Sequence, residues 1–245
     1  MKRLIPRLLP LLLLAAAALP GPRAGAERKS GAEQQSQARA WTGVRSQNFF
    51  VAGVAGEKEL RRVAVRLEEY RAAFSRLLSP EHFDAGVPTT VVVFPDDAAY
   101  NPFKPILGGR RANSVAGYFQ PGADVNYITV TLDPDFELDT LLHEYTHLLV
   151  NNYFRGAPLW LKEGLAEFYS TARLSADRRR VTLGEAPGRR ARELRGRALI
   201  PLDTLFNVDQ NSPYYYEAGQ RGLFYAESWA LVHYLLVARG GERRD

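Results

Sequence analysis

Residues 143–147 read His-Glu-Tyr-Thr-His, and residues 160–169 read Trp-Leu-Lys-Glu-Gly-Leu-Ala-Glu-Phe-Tyr. Apolar residues recur at helical spacing around the first stretch, which predicts a helix from Phe136 to Asn152. After a short break, a second helix is predicted from about Leu159 to Thr171. So short a turn makes the two helices antiparallel neighbours, and they form the centre of the predicted fold.

The first stretch has the spacing of a metal site. His143 and His147 are four positions apart, so both imidazoles project from one face of a helix and can bind one zinc ion. Glu144 lies beside them, where it can take the proton of a zinc-bound water. Zinc needs a third protein ligand, and Glu163 can supply a carboxylate from the second helix. The sequence therefore predicts a catalytic zinc ion with an open coordination position.

Two further acids lie near this set in the sequence, and another histidine lies on the last predicted helix. Glu167, one turn beyond Glu163, can accept the free ring N–H of a ligand histidine and fix its tautomer, although a plain surface acid is the alternative. Asp139 is one turn before His143, and an ordinary acid of the first helical turn is the preferred interpretation. His233 is interpreted as a packed or hydrogen-bonded core residue.

These residues carry a family resemblance. HEYTH followed by WLKEGLAEFY resembles the gluzincins, the branch of metallopeptidases that includes thermolysin-like and aminopeptidase-N-like enzymes. The chain is most similar to the bacterial peptidase MA-like proteins, and residues 41–78, 87–94 and 224–236 share the resemblance. The resemblance implies a catalytic zinc held by the three ligands named above, with Glu144 as the base.

The chain departs from related branches of metallopeptidases. A metzincin has a glycine and a third histidine where this chain has Val150 and Tyr153, and a Met-turn is impossible because Met1 is the only methionine. The Gly-x-Met-Glu-Asn exopeptidase motif of the aminopeptidase branch is also absent. Aminopeptidase activity is therefore not expected, and endopeptidase activity or another hydrolysis stays open.

A zinc hydrolase also needs a second electrophile for the negative charge that develops on the carbonyl oxygen. Residues 225–231 resemble the Tyr-x-x-Gly stretch that supplies this group in aminopeptidase-N-like gluzincins, with Ser228 in place of glycine. The resemblance implies that the Tyr225 hydroxyl stabilises the oxyanion. Simple packing of Tyr225 at the helix start is the alternative, and the competing donors are residues 214–216, all tyrosines, and His233.

The remaining pattern predicts an α+β fold, with a small twisted sheet packed on the zincin-type two-helix core and a mostly helical C-terminal part. Tyr127–Leu132 is interpreted either as the strand that pairs with an extended substrate or as an ordinary sheet strand. The other predicted elements are a strand at 49–51, a helix at 57–78, a buried strand at 89–94, a hairpin from 117–119 and 127–132, and a helix at 223–238.

The first 26 residues have the pattern of a cleavable secretory signal. Basic residues precede an apolar run from Leu8 to Leu19, and Ala24-Gly25-Ala26 provides the small residues that a signal peptidase reads. An uncleaved anchor is the alternative. Residues 27–40 are predicted to be a flexible linker and residues 41–245 the peptidase MA-like metallohydrolase domain. We expect an exported protein, periplasmic or secreted, and the abrupt end of the chain leaves further C-terminal domains open.

The composition excludes several kinds of functional site and argues against a nucleic-acid partner. The chain has no cysteine, which excludes disulfides, cysteine-based zinc sites and thiol catalysis. Four basic residues of the predicted signal supply most of the net charge of +5, so the charge is weak evidence for a nucleic-acid partner and none is predicted. Arg173–Arg197 holds nine arginines and is interpreted as a solvated loop, with contact to an anionic cell-envelope component as the alternative.

The sequence as a whole predicts a zinc metallopeptidase. A metal-bound water attacks an amide carbonyl, and Glu144 passes the proton of that water to the leaving amine. The expected partner is a peptide or protein substrate, and the oligomeric state is not predicted. Two other functions stay open: a non-catalytic, zinc-stabilised binding domain, and a hydrolase of peptidoglycan cross-links, for which the arginine-rich segment is the only hint.

Overall fold

A computed structural model describes residues 40–77, 86–107, 109–132 and 137–237. The predicted signal peptide and the predicted linker, except for Ala40, lie outside the described residues. The described residues contain nine strands and eight α-helices in an α+β arrangement, which confirms the predicted fold class. No helix among them is both long and apolar enough to span a membrane.

The strands are β1 (Thr42–Arg45), β2 (Phe49–Gly53), β3 (Thr89–Phe94), β4 (Ile106–Leu107), β5 (Arg110–Arg111), β6 (Gly117–Gln120), β7 (Asn126–Thr131), β8 (Arg173–Leu174) and β9 (Val181–Thr182). Five of them form one mixed sheet in the order β1-β2-β3-β7-β6. The three inner strands are parallel, and β1 and β6 pair antiparallel at the two edges. The predicted strands of this sheet are therefore present, and β1 is an addition to them.

The helices are α1 (Glu57–Phe74), α2 (Asp97–Tyr100), α3 (Glu137–Tyr153), α4 (Leu159–Ser170), α5 (Gly188–Leu194), α6 (Leu202–Phe206), α7 (Pro213–Tyr216) and α8 (Ala218–Val237). Helix α1 packs on β1 and β2, and α3 packs on β6 and β7. Helix α4 lies between α3 and α8, because it contacts both. Helices α5 and α7 pack against α8.

The main core lies between the sheet and helices α1 and α3. Alternate strand residues and the helical residues at three- and four-residue spacing bury their side chains there, as the periodicity of each element requires. Each such aliphatic side chain contributes roughly 1.5–3 kcal/mol by leaving water. The fully buried aliphatic residues of this cluster include Val51, Leu60, Leu67, Val91, Ile128 and Leu142.

Three element predictions were wrong in their bounds or type. Helix α1 ends at Phe74, four residues before the predicted Leu78, because the chain tightens there into a turn closed by bonds such as Leu77 N–H to the Phe74 carbonyl. Helix α8 begins at Ala218, five residues before the predicted start. The arginine-rich segment is not a plain loop, since it forms the β8–β9 hairpin and helix α5.

Candidate metal centre

Helices α3 and α4 bring the three predicted metal ligands together. His143 and His147 lie one turn apart on α3, and Glu163 faces them from α4. His143 and Glu163 are buried, and His147 is half-buried. Ligand atoms of these three residues lie close enough together to bind one metal ion, so this part of the prediction is confirmed.

The spacing of the ligand atoms fits a tetrahedral ion. The Nε2 atoms of His143 and His147 are 3.1 Å apart, and Glu163 Oε2 lies 3.3 Å from the first and 3.2 Å from the second. A tetrahedral zinc ion with ligand bonds of about 2.0–2.1 Å holds its ligand atoms about 3.3 Å from one another. Two imidazole nitrogens and one carboxylate oxygen therefore form one face of such a tetrahedron, with the fourth position open.

The electrostatics of Glu163 also fit a cation. Its Oε2 atom is buried and accepts no hydrogen bond, which is costly for a carboxylate oxygen unless a positive charge neutralises it. Burial alone would raise the pKa of Glu163, but the neighbouring charges of His147 and His143 lower it well below its ordinary value. For His147, burial would lower the pKa, yet the Glu163 charge raises it to about 9. The cluster thus favours one added cation at its centre.

Glu144 is held beside the ligands by the edge strand β6. Gly117 allows the close approach, because a Cβ atom there would lie 2.9 Å from Glu144 Cγ. The backbone N–H of Phe119 donates a hydrogen bond to the Glu144 carboxylate. Burial raises the pKa of Glu144 above its ordinary value, although the two histidines oppose this shift. A carboxylate with a raised pKa is better suited to accept a proton near neutral pH.

Glu167 lies behind His143. Its Oε1 atom is 3.4 Å from His143 Nδ1, on the side of the ring opposite the ligand atom. Arg190 of α5 binds the same carboxylate at two points: Nε donates to Oε2 at 2.8 Å and Nη2 donates to Oε1. Burial alone would raise the pKa of Glu167, but the charge and hydrogen bonds of Arg190 lower it. Glu167 is thus a buried, ionised acceptor in the position that the sequence predicts.

The burial of Arg190 beside the metal centre was not predicted from the sequence. Arg190 lies in the run of arginines that was interpreted as solvated, yet it is only 5% exposed. The one sequence signal is weak: Arg190 and Leu194 are four positions apart, and that spacing places both on the side of α5 that packs on α8. A buried arginine cannot be recognised from an arginine run alone.

Tyr225 lies next to the ligands, as predicted. Its ring stacks on that of His143, with centroids 5.9 Å apart and 10° between the planes. The ring of Tyr215 also stacks on that of Tyr225, with centroids 6.4 Å apart, and the two tyrosine side chains share a hydrogen bond. Burial raises the pKa of both hydroxyls far above the ordinary value, so both stay neutral. Of the predicted competitors, Tyr215 is therefore the one that the fold brings to Tyr225.

Of the two interpretations of Tyr127–Leu132, the structure agrees with the ordinary sheet strand. Strand β7 is hydrogen-bonded to β3 on one side and to β6 on the other, so it has no free edge. The free edge near the metal centre belongs to β6. Thr131 N–H bonds to the Ala116 carbonyl, and the antiparallel alternation therefore turns the backbone groups of Gly117 and Phe119 outward.

The predictions for Asp139 and His233 can also be compared with the structure. Asp139 pairs with Arg173 at 3.0 Å near the surface, as an ordinary acid of the first helical turn would. His233 packs between Trp229 and Phe168, with ring centroids 5.1 and 6.0 Å away, in agreement with the predicted packed role. His233 is thus not a competitor of Tyr225 by position.

A comparison with known families finds one similarity. A family described as "Protein of unknown function (DUF1570)" matches residues 137–242. The matched part begins with α3, so it contains all three ligands, Glu144, Glu167, Arg190 and Tyr225 but none of the five-stranded sheet. No curated protein matches the chain.

Proposed function

We propose that this protein is a zinc metallopeptidase that hydrolyses peptide bonds. The observation that carries the proposal is the triangle of ligand atoms at 3.1–3.3 Å, with Glu144 held beside it. His143, His147 and Glu163 would hold the zinc ion, and their two neutral nitrogens and one carboxylate are a donor set that suits catalytic zinc. When bound, zinc supplies a Lewis acid that polarises the substrate carbonyl and acidifies a water molecule.

Three side chains around the ligands would perform the other steps of catalysis. Glu144 accepts the proton of the attacking water and delivers it to the leaving amine. Tyr225 donates a hydrogen bond to the carbonyl oxygen as negative charge develops there, a role supported by its neutral hydroxyl and its stacking on His143. Glu167 keeps the Nδ1–H tautomer of His143, so that Nε2 is free to bind the metal.

An extended peptide would bind along the free edge of β6. The outward backbone groups of Gly117 and the outward carbonyl of Phe119 lie on this edge, whereas the Phe119 N–H donates to Glu144. A peptide that adds one strand here places its backbone next to the proposed base. This arrangement supports an endopeptidase more than a peptidase that needs a free chain end, because among the described residues no further strand pairs with β6 on that side.

The metal part of the proposal is tested by zinc content. Wild-type protein purified with zinc should hold about one ion per chain, and His147→Ala should lose it because two ligands bind zinc far more weakly than three. His233→Ala is the matched control, since it removes a histidine that packs on Trp229 away from the ligands. Equal zinc content in wild type, His143→Ala and His147→Ala would contradict the site.

The catalytic part is tested by peptide-library cleavage. Glu144→Gln should keep the zinc and lose cleavage, because the amide has nearly the same shape but accepts no proton. Equal cleavage by the variant and the wild type would exclude Glu144 as the base. Zinc binding without cleavage of any library member by the wild type would favour the non-catalytic binding domain, and release of peptidoglycan cross-links alone would favour the cell-wall hydrolase.

A further inference from the structure

Arg190 is the most deeply buried arginine near the metal centre, and the proposed chemistry gives it no task. Its side chain is 6% exposed, and it forms an ion pair with Glu167, whose side chain is 8% exposed. A buried ion pair is weak evidence for stability, because desolvation of both charges offsets much of their attraction. A pair in this position therefore invites a functional explanation.

The contacts of Arg190 converge on His143 from two sides. On one side, its guanidinium binds both oxygens of Glu167, and Glu167 Oε1 lies 3.4 Å from His143 Nδ1. On the other, the guanidinium lies over the ring of Tyr225, 5.0 Å from its centroid, and that ring stacks on His143. One side chain thus contacts both the residue behind the ligand and the proposed oxyanion donor.

The two-point contact with Glu167 restricts its carboxylate. A carboxylate that is bound at both oxygens by a planar guanidinium cannot rotate freely, so the oxygen facing His143 stays in one place. The orientation of an imidazole ligand depends on the acceptor of its other ring nitrogen, and loss of such acceptors typically weakens metal binding by about 10–100-fold.

We propose that Arg190 is a positioning residue of the metal centre: it fixes Glu167, and through it His143, while its face supports the ring of Tyr225. The inference rests on the proposed function, because it assigns Arg190 a role toward a metal bound by His143. It also gives helix α5 a function, since α5 carries Arg190 into the site from the arginine-rich segment.

A purely structural role is the competing explanation. Arg190 joins α5 to α4 through Glu167, and it lies against α8 through Tyr225, so its loss must weaken the packing of these helices. The two roles differ in the folded protein. A structural role changes the fraction of folded molecules, whereas a positioning role changes the zinc affinity and the histidine geometry of each folded molecule.

The experiment compares Arg190→Lys with Arg192→Lys in the full chain. Lysine keeps the charge but cannot bind both carboxylate oxygens in one plane. Arg192 is the matched control, because it is exposed on the same helix and donates a hydrogen bond to the Gly188 carbonyl of that helix. Zinc dissociation constants are measured by competition with a chelator, and the His143 Nδ1–H signal is followed by nitrogen-correlated NMR of the zinc-loaded protein.

Arg190→Lys should raise the zinc dissociation constant by about 10-fold or more and broaden or shift the His143 Nδ1–H signal. Arg192→Lys should change neither. Glu167→Gln provides a second variant, and the double variant should lose little more affinity than Glu167→Gln alone, because both residues act on the metal along one path.

Unchanged zinc affinity and an unchanged His143 signal in folded Arg190→Lys would overturn the positioning role and leave the metal centre intact. Should Arg190→Lys not fold, Glu167→Gln decides: zinc affinity equal to wild type would overturn the path through Glu167. Wild-type protein that binds no zinc would instead overturn the metal centre and, with it, the role of Arg190.

Discussion

Glu163 is the residue of the cluster whose surroundings most favour a bound cation. It is 2% exposed, its Oε2 atom has no hydrogen-bond donor, and two imidazoles surround it. Without a cation, such a carboxylate would be among the most destabilising groups of the fold.

At the same scale, Tyr225→Phe tests the oxyanion donor. The substitution removes one hydroxyl and leaves the ring that stacks on His143, so zinc content should not change. A donor of this kind contributes roughly 3 kcal/mol to the transition state, and kcat should therefore fall by ~10²-fold or more. Steady-state kinetics on a cleaved library peptide, with zinc content measured in parallel, provide the check.

Tyr215→Phe and Tyr216→Phe complete this test. Tyr215 shares a hydrogen bond with Tyr225, whereas Tyr216 is exposed and serves as the control. A full kcat in Tyr225→Phe together with a large loss in Tyr215→Phe would transfer the role to Tyr215. A full kcat in both variants would exclude Tyr225 and Tyr215 as the oxyanion donor.

The ligand trio could be predicted from the sequence because its geometry is local. Four positions on one helix fix the two histidines relative to each other, and a short turn returns Glu163 to the same place. Arg190 could not be predicted, since its contact with Glu167 spans 23 positions and depends on how α5 packs on α8. For the same reason the sequence does not distinguish Tyr215 from its neighbours Tyr214 and Tyr216, since Tyr215 reaches Tyr225 only through the packing of α7 on α8.

At the scale of elements, the helix crossing of α4 and α8 depends on Gly164. A Cβ atom there would lie 2.5 Å from Val232 Cγ2 and even closer to the Ser228 carbonyl oxygen, far inside van der Waals contact. The two helices therefore approach at a point where neither tolerates bulk, and Ser228 is fully buried there. Gly164 is also adjacent to Glu163, so this crossing determines where the third ligand lies.

Gly164→Ala should destabilise the protein by about 1–3 kcal/mol, because overpacking forces α4 and α8 apart. It should also weaken zinc binding, since α4 carries Glu163 away from the histidines. Urea unfolding with chelator present isolates the packing effect, and zinc titration measures the second effect. Gly219→Ala is the control: a Cβ atom at this position in α8 meets nothing within 4 Å.

If Gly164→Ala and Gly219→Ala are equally stable and bind zinc equally, the close crossing of α4 and α8 is not what positions Glu163.

The bounds of the helices and strands could be predicted from the sequence only in part. The strands of the hairpin and β3 were predicted nearly to the residue, because each alternates or is bounded by turn residues. The ends of α1 and α8 were not: α1 ends in a turn closed by local backbone hydrogen bonds, and the first turns of α8 lie against Glu193 of α5.

At the scale of the molecule, the metal centre lies between one hydrophobic cluster and two others. One cluster joins the sheet to α1 and α3, and the others are formed mainly by α4 and the helices that follow it. The three ligands come from both sides of this division, two from α3 and one from α4. A bound metal would therefore connect the part of the chain that forms the sheet to the part that forms the C-terminal helices.

Removal of the metal should lower the stability of the whole protein. A ligand that binds only the folded state stabilises it by about 4 kcal/mol at a thousandfold excess over its dissociation constant. For a chain of this size each kcal/mol changes Tm by roughly 2–4 °C, so a chelator should lower Tm by roughly 8–16 °C. The loss should grow as added zinc is reduced, since the effect follows mass action. Calorimetry of the wild type over a zinc series, with and without chelator, measures both the size and the concentration dependence.

His147→Ala separates this coupling from other effects of the chelator. The variant lacks one ligand but keeps the helices, so its Tm should be low and should not respond to chelator or to added zinc. His233→Ala should respond like the wild type, because His233 packs on Trp229 and Phe168 rather than on the ligands. A chelator response of equal size in His147→Ala would mean that the stabilising metal binds elsewhere in the chain. No response in the wild type would mean that α3 and α4 are held together by their packing alone.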